Sequence, residues 1–229
     1  AWTDTTFQGH AVDFWNLRKK QGRVELRGLD GTFFGALAGG FSSRHAAVDI
    51  TGETPVTVLE ERWHVIVYSV SGVDANVFDI DIVQTNVSDA PLQLNTYRYG
   101  GFGFRGSGQW LGDKTRFLTS EGETDRIKAH ATRMRWCHIG GLVGEVLAGA
   151  AILGHPDNFR APQPARVSPG EPFFCFAPVQ LGPFEIAPGE EHRMRYRIVV
   201  ADGAPNRARL DAFWNGYAHP ARAELVTVE

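Results

Sequence analysis

Apolar and polar residues alternate with a period of two along stretch after stretch of this chain, a rhythm that suits β-strands and not helices. The clearest case is 192–200, where Met194, Tyr196, Ile198 and Val200 share one face and Arg193, Arg195 and Arg197 the other. Phe78, Ile80 and Ile82 alternate with Asp79 and Asp81, which predicts a strand with one dry and one carboxylate face. The stretch 62–70 is apolar on both faces and reads as a central strand covered on both sides. Further strands are predicted at 22–27, 54–59, 92–105, 131–138, 143–153 and 172–180, with Gly, Pro, Asn or Asp between most of them. One helix stands out, from Pro205 or Asn206 to Tyr217. Asn206 is placed to cap it, and Leu210, Phe213, Trp214 and Tyr217 form one apolar stripe suited to docking on a sheet. The pattern predicts an all-β fold, a large antiparallel β-sandwich (a supersandwich) with a short C-terminal helix. No repeat or linker divides the chain, so 1–229 reads as one domain.

Composition narrows the function. The 229 residues carry 23 basic and 26 acidic side chains, a net charge of -3, which gives no electrostatic reason for a nucleic-acid or anionic-membrane partner. No apolar run is long enough to span a bilayer; 139–155 is interrupted by glycines and Glu145. The chain reads as soluble, either cytoplasmic or exported with a leader removed, since it opens on Ala1 with neither an initiator Met nor a leader. Cys137 and Cys175, each in an aromatic strand-like run, read as buried free thiols, with a disulfide or a reactive thiol as the alternative. The eight histidines show no HxH or HExxH spacing, so no metal site is predicted and no cofactor can be named.

Motifs with a chemical reading are few. Gly101-Phe102-Gly103-Phe104-Arg105-Gly106 matches GxGxxG, but no helix is predicted after it, so close backbone approach explains the glycines better than a dinucleotide. Arg105 among them is either an anion or hydroxyl donor or a salt-bridge partner. His155-Pro156-Asp157-Asn158 leaves an apolar strand and opens a loop with five prolines between 156 and 172, where an imidazole, a carboxylate and an amide converge; the alternative is a self-contained turn. Trp136 and His138 are two apart and share a strand face, either as a stacking indole beside an acid/base imidazole or as core residues. Asp79 and Asp81 also share a face, which more simply is a solvated one.

Several segments, taken in order, resemble a bacterial family labelled "methane oxygenase PmoA"-like, a domain of essentially unknown function. They are Gly9-His10-Ala11-Val12-Asp13-Phe14-Trp15-Asn16, Gly22-Arg23-Val24, Gly100 to Arg105, Ile152 to Asn158, Ala187-Pro188-Gly189-Glu190, Arg195-Tyr196-Arg197 and Asp202-Gly203. The resemblance implies a β-sandwich similar to the galactose-mutarotase-like group, often found with carbohydrate-degrading enzymes and sugar oxidoreductases. Methane chemistry does not transfer, because genuine methane oxygenase subunits are membrane proteins. Family members tend to carry His-His-Arg-Gly just before the stretch matching Trp2 to Trp15, and this chain does not; either an N-terminal segment is missing or part of the usual site is. A His-Pro-Thr-like continuation is replaced here by Phe159-Arg160-Ala161-Pro162.

These readings together predict a carbohydrate-processing protein whose concave face gathers Trp15, Arg105, Trp136, His138, His155, Asp157 and Asn158. In that expectation His155 is the acid/base, His138 a second acid/base or ligand, Arg105 the substrate clamp and Trp136 the stacking platform, with Trp15, Asp157 and Asn158 contacting substrate. The alternative is a non-catalytic carbohydrate-binding module or an accessory subunit, acting as a homo-oligomer or with a partner chain.

Overall fold

A computed structural model describes residues 1–69 and 71–220. Its centre is an eight-stranded antiparallel sheet built, in spatial order, from β3 (Gly22–Phe34), β4 (Ala38–Asp49), β5 (Val56–Tyr68), β6 (Asn76–Asn86), β15 (Glu191–Asp202), β11 (Val146–Gly154), β10 (Trp136–Val143) and β9 (Arg116–Thr119). Two smaller antiparallel sheets form the second layer. One is β14 (Phe184–Ile186), β7 (Leu92–Leu94), β1 (Thr5–Phe7) and β2 (His10–Val12); the other is β12 (Ala165–Val167), β13 (Phe173–Phe176) and β8 (Phe102–Arg105). The fold is therefore the expected all-β antiparallel sandwich, and among the described residues no helix is long and apolar enough to cross a membrane.

Strand alternation divides the large sheet into two unlike faces. Leu59, Val65, Ile82, Met194, Tyr196 and Ile152 point inward and share the main core with Phe7, Leu92, Phe174 and Phe176 of the second layer. On the outer face, Val77, Trp136, Ala151, Leu153 and Val199 form a second apolar patch. It is covered by α2 (Arg207–Ala218) through Leu210, Phe213, Trp214 and Tyr217, the stripe read from the sequence. Asn206 caps this helix, accepting from the Arg209 N–H at 3.0 Å. A four-residue helix, α1 (Arg126–Ala129), gave no periodic signal, being one turn held by its Asp125 cap.

Several boundaries differ for local reasons. The strand predicted at 22–27 runs on to Phe34, because register shifts at Gly28 and Gly31 let it follow β4. β4 carries no alternation signal in the sequence, because its run of Gly, Ser and Ala has too few large side chains. The two stretches at 54–59 and 62–70 merge into β5, whose last predicted residue, Val70, lies outside the described residues, as do 221–229 of the predicted domain. β5 is interior to the sheet but is not covered on both sides, since His64 is exposed on its outer face and Val67 remains 47% exposed on its inner one. The segment 92–105 splits into β7 and β8, with Gly100 and Gly101 at φ +136° and +133° between them. A Cβ on Gly101 would fall 2.4 Å from the Phe176 carbonyl oxygen, so here glycine serves a close backbone approach. Both cysteines are free and buried, and burial raises the Cys175 thiol to about 11, which answers against the disulfide and reactive-thiol alternatives.

The second layer is narrower than the large sheet. Beyond its margin the β3–β4 hairpin leaves Leu26, Leu29, Phe34 and Leu37 at 65%, 65%, 88% and 79% exposure.

Candidate functional site

The residues expected to share one hollow fall in three places, which corrects that expectation. His155, Asp157 and Asn158 do meet, at the exit of β11. The His155 Nδ1 accepts the Asp157 N–H at 3.1 Å and the ring meets Tyr217 edge-on. Asp157 pairs with Arg195 at 2.6 Å, which lowers its pKa, while burial and the Arg195 charge lower that of His155. Asn158 is a staple: its Nδ2 donates to the Arg195 carbonyl at 2.8 Å and its Oδ1 accepts the Arg195 N–H at 2.8 Å, so both ends of the amide are committed.

Trp136 and His138 share a face as expected, but that face lies under α2. Trp136 is fully buried and its indole N–H donates to Asp211 at 2.9 Å, so it has no open ring face on which a sugar could stack. His138 is buried, and burial depresses its pKa to about 4. Arg105 and Trp15 belong to the second layer. Arg105 donates to Glu171 at 2.6 Å and lies over the Phe173 ring, against which Trp15 also packs. Phe102 of β8 pairs with Phe176 beside the His155 loop, whereas Arg105 pairs with Phe173, three residues or about 10 Å further along the strand. The paired acids Asp79 and Asp81 form cross-strand ion pairs with Arg197 and Arg193. After β8 comes a 3-10 turn at Gly108–Trp110, which leaves no helix N-terminus to receive a pyrophosphate.

The most unusual chemistry lies on the inward face. Leu26, His45, Glu61, Gln84 and His192 stand in register on β3, β4, β5, β6 and β15, one row across five strands. Four of these positions are polar where the core phase calls for apolar residues; the next row along is Leu29, Ser43, Trp63, Ile82 and Met194. Trp2 donates its indole N–H to Gln84 Oε1 at 2.7 Å; Gln84 Nε2 donates to one Glu61 oxygen and Trp63 Nε1 to the other. His45 lies beside this carboxylate, its Nδ1 4.0 Å from Glu61 Oε1, with its ring edge-on to Trp63. The Nδ1 of His45 and the Nε2 of His192 are buried without a hydrogen-bond partner. Unpaired buried polar groups are costly; His138 Nδ1 and Gln180 Oε1, outside the row, are the others among the described residues.

The row also has a direction. His192 is enclosed by Trp2, Phe159 and Phe184, Gln84 and Glu61 are buried, His45 is partly exposed, and Leu26 opens to solvent. An imidazole and a carboxylate thus stand at the margin of the second layer, beside an apolar strip. Among the described residues no group of three or more His, Cys, Asp or Glu is placed to hold a metal ion.

Two buried imidazoles make acid stability a readout of this design. Burial lowers His138 and His192 to about 4, against about 6.5 in an unfolded chain. Between those values the unfolded chain binds more protons, so stability is complete above about 6.5 and falls as pH drops toward 4. Denaturant unfolding is expected to show a loss of about 2–3 kcal/mol per histidine over that window. Replacing His138 and His192 together by leucine should remove most of this slope; an unchanged slope would assign it to other groups.

The row was legible only as a breach of phase. Gln84 follows Ile80 and Ile82, His192 precedes Met194 and Tyr196, and Glu61 precedes Trp63 and Val65, each at an inward position. Read singly, such residues look like strand ends; only the register joins them.

Residues 1–215 match the model of a family of unknown function, DUF6807, and the chain belongs to that family. No curated protein matches it.

Proposed function

We propose that this chain binds and processes a carbohydrate on the inward face of the large sheet, at the margin of the second layer, with Glu61 and His45 as the proton-transfer pair. The observation that carries the reading is the in-register row of His45, Glu61, Gln84 and His192, in which a carboxylate and an imidazole with an unpartnered Nδ1 lie 4.0 Å apart next to Trp63. Glu61 is fixed by N–H donors on both oxygens, which sets its orientation before substrate arrives. His45, whose side chain is 20% exposed, is the member assigned to exchange a proton with a hydroxyl or ring oxygen. Leu29 and Phe41 continue the inward face beside the row, so polar and apolar strips run side by side, as the hydroxyl edge and the C–H face of a pyranose require.

A thermal-shift screen against mono- and disaccharides, followed by turnover measured on every hit, tests this reading. A hit is expected with the native chain and not with His45→Gln, and turnover should vanish in the same variant. Hits that survive His45→Gln would move the site elsewhere.

The accessory-subunit reading is favoured by one observation, the exposed apolar strip of Leu26, Leu29, Phe34 and Leu37 on the β3–β4 hairpin. Sedimentation tests its homo-oligomeric form: self-association in the micromolar range supports it, and a monomer across that range removes it.

A further inference from the structure

The cavity beside His155 is distinct from the polar row and has a different chemical character. It offers about 190 Å³ between the β11 exit, the proline loop and α2 and is partly open to solvent. Its apolar wall comes from Met134, Pro156, Pro162, Phe176 and Trp214. An apolar cavity of about 150 Å³ takes a benzene ring, so this one has room for a single ring with one small substituent.

The polar groups on the wall decide what that substituent is. Asn158 is committed at both ends to Arg195. Gln163 accepts from the Tyr196 hydroxyl at 2.8 Å and donates to the Phe159 carbonyl at 3.0 Å. Each amide is held in one orientation by these bonds and keeps a single N–H and a single lone pair to offer, which is few for the many hydroxyls of a sugar. Two donors remain. Arg135 lies over the Trp214 ring at 4.9 Å and donates to Asp211 through one terminal nitrogen, with no partner on the other among the described residues. His155 uses Nδ1 as an acceptor, which leaves its proton on Nε2, a nitrogen that makes no hydrogen bond among the described residues.

We infer that this cavity is a binding site for a monocyclic carboxylic acid, its ring held against Trp214, Met134 and Phe176 and its carboxylate received by Arg135 and His155. Arg135, with Nε 4.0 Å from Glu121 and one terminal nitrogen left without a partner among the described residues, stands beside a ring-sized, largely apolar space, and a charge-assisted bond to that nitrogen favours an acid over a neutral ring. Trp214 belongs to α2 and donates its indole N–H to the Gly154 carbonyl at 2.9 Å. A ligand wedged behind this ring therefore fastens the helix to the sheet.

Titration calorimetry of the whole chain with benzoate, benzyl alcohol and glucose tests the assignment. Benzoate is expected to bind with Kd below about 1 mM, benzyl alcohol roughly tenfold more weakly, and glucose not at all. Arg135→Gln should bring benzoate down to the level of benzyl alcohol without changing the alcohol. Gly154→Val should weaken both ligands, since a Cβ there meets nothing closer than the Arg135 carbonyl oxygen at 3.6 Å and the added methyls occupy the cavity. Should that variant not fold, hydrogen exchange of the native chain supplies the second readout: benzoate must slow exchange in α2. The assignment is overturned if benzoate gives no heat, if Arg135→Gln leaves its affinity unchanged, or if exchange in α2 is indifferent to it.

Discussion

Trp136→Ala is expected to lower the unfolding free energy by about 3–5 kcal/mol, the range for removing a large aromatic from a closed core. Trp136 is fully buried at the centre of the outer apolar patch, and its indole N–H is a partner of Asp211 on α2. Truncation opens a cavity between sheet and helix and loosens the Asp211 carboxylate, which also holds Arg135 at 3.1 Å. Trp136→Phe should recover more than half of the loss, because most of the packing returns while the hydrogen bond and part of the indole volume are missing. Equilibrium unfolding in urea measures both. Were Trp136 instead a surface for stacking sugars, the alanine variant would keep its stability and lose only ligand affinity.

Substitution of Glu61 is expected to have the largest effect on ligand binding. In Glu61→Gln one of the two oxygens facing Trp63 and Gln84 becomes an NH2 group, so a donor meets a donor in a buried setting and the charge beside His45 disappears. Saccharide affinity should fall roughly 100-fold, as expected for a lost charge-assisted hydrogen bond together with the disturbed row. Stability should fall by about 1–3 kcal/mol, the cost of leaving a buried donor unmet. Calorimetry and urea unfolding on one preparation separate the two effects. An affinity loss no larger than the stability loss explains would make Glu61 a purely architectural residue.

The architecture was readable because it depends on local rhythm. The alternation at 192–200 placed Met194 and Tyr196 in the core and the arginines outside, and the stripe from Leu210 to Tyr217 identified the one helix that docks. β4 was hidden because Gly39, Gly40, Ser42 and Ser43 give alternation without contrast. The candidate site was harder to see for a related reason. His155, Asp157 and Asn158 lie next to one another in the chain, so their meeting was visible, yet the structure shows Asn158 tying the loop to β15. Trp136 and His138 were placed on one face correctly, but which side of the sheet α2 would cover is settled by tertiary packing. His45, Glu61, Gln84 and His192 are separated by 16 to 108 residues and become a row only when strand register is known.

A saccharide seated on the polar row must perturb the indole N–H resonances of the tryptophans that belong to it. Each of Trp2, Trp63, Trp136 and Trp214 donates through its indole nitrogen to a different acceptor, and only the first two belong to the hydrogen-bond chain through Gln84 and Glu61. Titration of the native chain with the best saccharide of the screen should move the Trp63 and Trp2 signals in a saturable way and leave those of Trp136 and Trp214 in place. Movement confined to Trp136 or Trp214, or no movement with any saccharide, would show that no sugar binds at Glu61 and His45.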